Sequence, residues 1–569
     1  MRNLFYFFVP IFFLFLSCSS VKEDDLIIYN GQIYTMDTQN PIAEAVVVND
    51  GKISFVGKIE EVKNRLKGAK QLLDLKGKAM TPGFIESHGH LMGMGEKALS
   101  LDLTQCETFE EMVEKVKEAV AKTNKGEWIL GRGWHQSKWK SMPDNLIDGF
   151  PTEKELSAVS PDNPVYLGHA NGHVAMVNSK ALEITGVNPE SKMENFGVIV
   201  KYPDGKPTGI LHDDAMLLVS EKIPVTKNRR QKAFELAIQE CLKNGVTTFR
   251  DAGTEAVDID LFKENLEKGK VKVRLWSMLA GWDNQLLDHW FNQEPEIGLG
   301  NGFLTIRAIK LSADGALGSR SAWLLEDYSD FEGHRGHNTI AMDSVYSIAK
   351  KALNKGYQLC VHAIGDRANQ EVLDQFEKAF KENPDDSKTA RFRIEHAQHL
   401  ALEDIPRFSD LGVIASMQSI HLSSDRPWAI DRLGEQRIKE GAYVWQKLLQ
   451  SGVKIVNGTD APVEPLDPLA NFYAAVSRKT LKGSPEGGYE ADQKMSREEA
   501  LRSYTIDAAY GGIEEDLKGS IEVGKLADFT VFSNDIMMVE EREILNTQVL
   551  YTIVDGKVAF ERKLDVNKN

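Results

Sequence analysis

The 569-residue chain is 42% hydrophobic and 27% charged, the composition of an ordinary globular enzyme, and its length suits one large domain with a smaller one beside it. Its formal net charge of -16 repels phosphate backbones, and no basic stripe interleaved with aromatics is present to overcome that repulsion locally. Nucleic acid is therefore not expected as a partner.

In chain order, the first feature is Arg2 followed by an apolar run over 4–16, too short to cross a bilayer as a stable helix and read as an export signal. Phe15-Leu16-Ser17-Cys18 comes next and resembles a bacterial lipobox, which predicts lipidation of Cys18. Residues 1–18 are thus expected to be signal and anchor, and the polar residues 19–25 a linker between membrane and domain. The expected location is the cell envelope, lipid-anchored on the periplasmic or outer-membrane side. Cys106, Cys241 and Cys360 remain, an odd number without a closed disulfide framework, and no two lie close enough in sequence to form a zinc knuckle.

Residues 26–79 alternate short β-type runs with turn pairs such as Asn30-Gly31 and Asp50-Gly51, and the same texture returns around Asp555-Gly556. The segments 26–79 and 515–565 are therefore expected to combine into one composite β-sandwich. Between them, apolar β runs alternate with helical stretches, the pattern of parallel βαβ units. Eight strands are predicted at 80–90, 246–252, 273–280, 305–313, 359–364, 392–396, 413–418 and 455–460. Eight is the barrel number, so the fold class predicted for 80–514 is α/β, a (β/α)8 TIM-like barrel. The interval 91–245 far exceeds an ordinary βα loop and is predicted to form an insertion or lid over the barrel mouth.

The first predicted strand ends in Ser87-His88-Gly89-His90, and residues two apart on a strand point the same way, so both imidazoles can converge on one ion. Lys310, His362, His396 and Asp460 sit in or just after other predicted strands. Burying such groups is costly unless each is paired or metal-bound. The C-terminal ends of barrel strands open on one face, where such barrels keep their active sites.

All of these residues except His362 lie in segments that together resemble the amidohydrolase superfamily. The closest likeness is to amidohydrolase family 3, the branch that includes N-substituted formamide deformylase. The segments are Thr81-Pro82-Gly83-Phe84-Ile85-Glu86-Ser87-His88-Gly89-His90, Gly131-Arg132-Gly133-Trp134, Lys310-Leu311-Ser312-Ala313-Asp314-Gly315, Arg393-Ile394-Glu395-His396-Ala397, Gly458-Thr459-Asp460-Ala461-Pro462-Val463 and Gly519-Ser520-Ile521-Glu522-Val523-Gly524. The resemblance implies one or two zinc ions, with His88 and His90 on the more buried ion and His362 and His396 on the more exposed one. Lys310 is implied to bridge them as a carboxylated lysine. Burial and metal charge favour the neutral amine, which alone takes up carbon dioxide.

Asp460 is the candidate general base and a further candidate ligand, since a coordinated water has its pKa lowered to roughly 7 and needs only a nearby acceptor. Candidate substrate contacts are Trp134, His135 and His173 in the insertion and Asp314, Arg320 and His421 after predicted strands. The expected activity is metal-dependent hydrolysis of a non-peptide C–N bond, amide or N-formyl, in a small molecule. The alternatives are a deaminase or cyclic-amide hydrolase, and a non-catalytic metal- or solute-binding envelope lipoprotein. Expected partners are that small molecule and the membrane, with homo-oligomerisation left open.

Overall fold

The computed structural model of the chain describes residues 24–563 apart from 144–145, 171–172 and 193–196. The expected export signal, the Cys18 lipidation site and nearly all of the linker lie outside the described residues. Among the described residues no helix is long and apolar enough to cross a membrane, and Cys106, Cys241 and Cys360 are buried free thiols.

Eight parallel strands form the central sheet: β1 (Phe84–Gly89), β2 (Val246–Thr254), β3 (Arg274–Ala280), β4 (Leu304–Ser312), β5 (Gln358–Ala363), β6 (Arg393–His396), β7 (Ile414–Met417) and β8 (Ile455–Asn457). Each pairs with its neighbours in chain order, and a short strand, Glu296–Gly298, adds antiparallel to β4. The ring nearly closes. Between β8 and β1 the backbone is joined by Asp460 N–H to His88 O at 2.9 Å and His90 N–H to Ala461 O at 2.6 Å. The approach is that close because Gly458 has no side chain; a Cβ there would lie 2.6 Å from both His88 N and Glu86 Oε1.

Alternation along the strands sorts side chains between two environments. Ile309 and Leu311 of β4 and Leu359 and Val361 of β5 belong to the large apolar core that includes the helices Met342–Lys355 and Asp366–Glu382. Ala252, Trp276, Met278, Ala308 and Cys360 instead form a separate small cluster across β2 to β5. The same face carries Lys310, two residues beyond Ala308, and His362, two beyond Cys360.

The predicted strand 80–90 is two strands. Ala79–Pro82 pairs antiparallel with Phe529–Phe532 and parallel with Leu26–Tyr34, so it belongs to the terminal sheet, and only Phe84–Gly89 enters the barrel. The break falls at Gly83, where a Cβ would meet Thr247 Oγ1 at 2.2 Å. The two chain ends form one continuous eight-stranded sheet, and one apolar core unites Ile28, Val46 and Ile53 with Phe529, Val531 and Ile553. The interval 91–245 is likewise divided. A six-stranded sheet runs from Leu101–Asp102 to Pro207–Asp213 around its own core of Met112, Ile129, Trp134, Leu167 and Met176. The helix Lys227–Lys243 instead packs Phe234, Ile238 and Cys241 into the barrel core.

Candidate metal centre

Lys310, His362, His396 and Asp460 join His88 and His90 at the C-terminal ends of the strands. Ring centroids lie 5.7 Å apart for His88–His90, 4.9 Å for His88–His396 and 4.4 Å for His362–His396. Lys310 Nζ is 3.2 Å from His88 Nε2. Asp460 Oδ1 is 3.6 Å from His88 Nε2 and 3.2 Å from His90 Nε2. Ligand atoms of His88, His396 and Asp460 all fall within 4.8 Å of one another.

The electrostatics suit a cation. Burial, then the nearby Lys310 charge, pushes His88 down to about 4 and His362 to about 3. Burial and the neighbouring His362 hold His396 well below the usual imidazole range. All three rings are thus neutral at pH 7, the form that binds metal. Burial also lowers Lys310 toward the free amine. Burial alone would raise Asp460, but the His90 ring 3.2 Å away outweighs it and holds the carboxylate well below its ordinary range. His362 Nε2 is buried without a hydrogen-bond partner, and Asp460 Oδ1 has only the His90 ring, 3.2 Å away. Such an orphaned atom fits a bound ion, since buried polar groups otherwise find partners.

The backbone is strained where it presents two of these residues. His396 has φ 76° and Asp460 φ 58°, left-handed conformations that cost a non-glycine residue on the order of 1–3 kcal/mol. On β6 strict alternation pairs Arg393 with Glu395 on one face, and the turn at His396 brings its ring to the same side.

Several partners hold the rings. His88 Nδ1 lies 2.5 Å from Glu395 Oε2, and both side chains are fully buried. Arg393 Nε is 2.8 Å from Glu395 Oε1, and Arg393 Nη2 donates to Glu395 Oε2, Ser87 O and Ser416 Oγ at 3.0, 2.8 and 2.7 Å. Gln418 Oε1 accepts from His396 Nδ1 at 2.7 Å. Asp314 Oδ1 sits 3.4 Å from His362 Nε2 without making a hydrogen bond, so that nitrogen has no outer partner of this kind. Metal-bound histidines usually bear such an outer carboxylate or amide, which fixes the tautomer and aims the other nitrogen. Sequence reasoning missed Glu395 and Arg393. Their signal was two charges at i and i+2 in an otherwise apolar strand, a pattern that places both on one buried face.

The remaining candidates are placed differently. Trp134 is fully buried in the core of the insertion, donating Nε1–H to Leu167 O at 2.9 Å and stacking on Trp139; its large apolar ring packs that layer instead of lining an open pocket. His135 lies with its ring 4.5 Å from that of His169. His173 is exposed and pairs with Asp213 at 2.9 Å within the insertion. Asp314 accepts from the backbone of Trp323, Ile364 and Gly365, which makes it a loop clamp beside His362. Arg320 forms a bidentate pair with Asp330, again bridging loop. His421 is buried, its ring parallel to that of His396 at 6.2 Å. A cavity of about 410 Å³ opens beside His90, between barrel residues Asp251 and Gly253 and insertion-side residues Leu130, Ile223 and Pro224.

Beneath the cluster, Glu86 Oε1 accepts from Thr459 N–H at 2.5 Å and tethers β8 to β1. Burial, opposed by that hydrogen bond, raises its carboxyl from 4.5 to about 8. The folded protein therefore holds a proton that the unfolded chain has lost between these two values. The stability due to this residue is complete below the unfolded value and is lost as pH rises through the folded one. Glu86→Gln is expected to remove that loss: denaturant unfolding over a pH series should show the variant gaining on the wild type toward alkaline pH. Parallel pH profiles for the two proteins would contradict it.

Comparison with known proteins agrees with this architecture. A model described as the amidohydrolase family matches residues 71–560. The chain is 32% identical to the Bacillus subtilis (strain 168) protein YtcJ over 541 residues, covering 94% of this chain and 99% of that protein. It is 29% identical to the N-substituted formamide deformylase of Arthrobacter pascens over 562 residues, covering 95% and 98%. Among solved structures, it is similar to an uncharacterized metal-dependent hydrolase from Pyrococcus furiosus, with a TM-score of 0.74, 28% identity and coverage of 90% of this chain and 100% of that one.

Proposed function

The chain belongs to the amidohydrolase family, hydrolases acting on carbon–nitrogen bonds, and from that premise we propose that it cleaves a non-peptide amide or N-formyl bond of a small molecule. The observation that carries this reading is the convergence of four imidazoles, a buried amine and a buried carboxylate at the open end of the barrel. His88, His90, His362 and His396 would hold one or two zinc ions, with Lys310, carboxylated on its lowered-pKa amine, between them. When bound, such an ion supplies a Lewis acid that polarises the scissile carbonyl and acidifies water. Asp460 does the proton work. Anionic at neutral pH, it orients the attacking water, accepts its proton at Oδ1 and returns it to the departing nitrogen. Glu395 and Gln418 keep the His88 and His396 rings aimed while this happens.

The family resemblance of the ligand set serves deaminases and cyclic-amide hydrolases equally, so the substrate panel must include both. Dialysis against a chelator should abolish hydrolysis of N-formyl amines, and zinc should restore it; hydantoin-type rings and aminopurine-like amidines run in parallel discriminate the alternatives. A zinc-replete protein that turns over none of these while retaining a tightly held ligand would instead be a binding protein. The same proposal places the enzyme at the cell envelope, anchored through lipidated Cys18 by its lipobox-like segment.

A further inference from the structure

His421 Nε2, which can donate, is buried close to the cluster without a hydrogen-bond partner, while the acceptor Asp460 Oδ1 has the His90 ring 3.2 Å away. His421 is the third residue of the helix Ser419–Gly441, which starts directly after β7. The first turn of that helix is pinned to the neighbouring elements. Ser419 N–H and Oγ both donate to Asn457 Oδ1 of β8, at 3.1 and 3.0 Å. Ile420 N–H donates to Asn471 Oδ1 at 2.5 Å. The backbone leading into His421 is thus fixed from two sides, and its ring is only 8% exposed and lies within 16° of parallel to that of His396. His396 is itself locked by Gln418, the residue before the helix. Asp425, one turn further along, is an electrostatic neighbour of the ring, as is Asp460.

A buried nitrogen without a partner loses its hydration for nothing unless a ligand replaces it. Resting on the C–N hydrolase reading above, we propose that His421 Nε2–H donates to the acyl oxygen of the scissile group and stabilises the negative charge that builds there during attack. The division of labour follows from the chemistry of an amide, which presents one acceptor and at most one donor. Asp460, an anion, takes the proton-bearing partner, the water and then the nitrogen. A second acceptor beside it would compete for that role and leave the carbonyl oxygen unpaired, whereas an imidazole N–H completes the set. A rigid donor aimed at the developing oxyanion needs no reorganisation during the reaction.

The test uses the zinc-loaded full chain with His421→Phe and His421→Gln, and acetate as a probe of the acyl half. Loss of one oxyanion donor lowers kcat by about 10²–10³-fold. His421→Phe is expected to show that loss with little change in KM. Its acetate affinity, read by calorimetry, should fall roughly tenfold or more, in line with the loss of a buried hydrogen bond. Zinc content should stay at the wild-type level. His421→Gln, whose amide N–H can still donate, should recover part of both. Wild-type kcat and acetate affinity in His421→Phe would overturn the inference, and so would loss of zinc in both variants, because the ring would then act by propping His396. If the wild type hydrolyses no C–N substrate yet acetate binding still depends on His421, the proposed reaction fails while the acyl-oxygen site stands.

Discussion

Asp460→Asn is expected to lower kcat by about 10²–10⁴-fold, the usual contribution of a positioned general acid–base, while the purified protein keeps its metal. Asparagine matches aspartate in shape and is among the few residues that tolerate a left-handed backbone, so the φ of 58° at this position should survive the change. The substitution removes the negative charge and the ability to take up a proton, and little else. Asp460 is one of three residues whose ligand atoms crowd within 4.8 Å, so it could also be needed to hold the ion. Elemental analysis beside the kinetics separates the two roles. A variant that is inactive and metal-free would make Asp460 an essential ligand; one that is metal-replete with near-normal kcat would remove it from the chemistry altogether.

Much of this arrangement was legible in the chain. An apolar run that ends in an isolated imidazole, ammonium or carboxylate is an unusual pattern, and its recurrence at His88, Lys310, His362, His396 and Asp460 placed the strands and their active ends together. Boundaries were harder. Pattern alone cannot distinguish a long strand from two strands joined at a tight corner, so the crossing at Gly83 from terminal sheet to barrel was invisible until Thr247 was seen packed against it. Asp460 was read as the end of its strand, yet β8 stops at Asn457 and the chain turns sharply before presenting the carboxylate. Trp134 illustrates the opposite limit. A large aromatic in a Trp-rich stretch is more often packing than recognition, and its burial against Trp139 and Leu167 decides for packing. Glu395 was given no role beside His396, although alternation on β6 assigns it with Arg393 to the barrel interior.

That interior pair yields the second large effect. Glu395→Ala strands the Arg393 guanidinium in a fully buried site, and breaking a buried ion pair by removing one partner typically costs 3–5 kcal/mol. Burial alone would raise the Glu395 carboxyl, but the Arg393 guanidinium and His88 outweigh it and hold it well below the usual carboxylate range; the charge is present to be lost. The variant also frees His88 Nδ1 from the carboxylate 2.5 Å away, and loss of such an outer partner weakens metal binding by roughly 10–100-fold. Stability and metal affinity can be pulled apart by adding Arg393→Met to Glu395→Leu. With both charges replaced by apolar groups of similar volume, the unfolding free energy should return close to the wild-type value, while zinc affinity stays low because nothing aims the His88 ring. A double variant that bound zinc as tightly as the wild type would show that the barrel walls alone orient His88, leaving Glu395 only the task of neutralising Arg393.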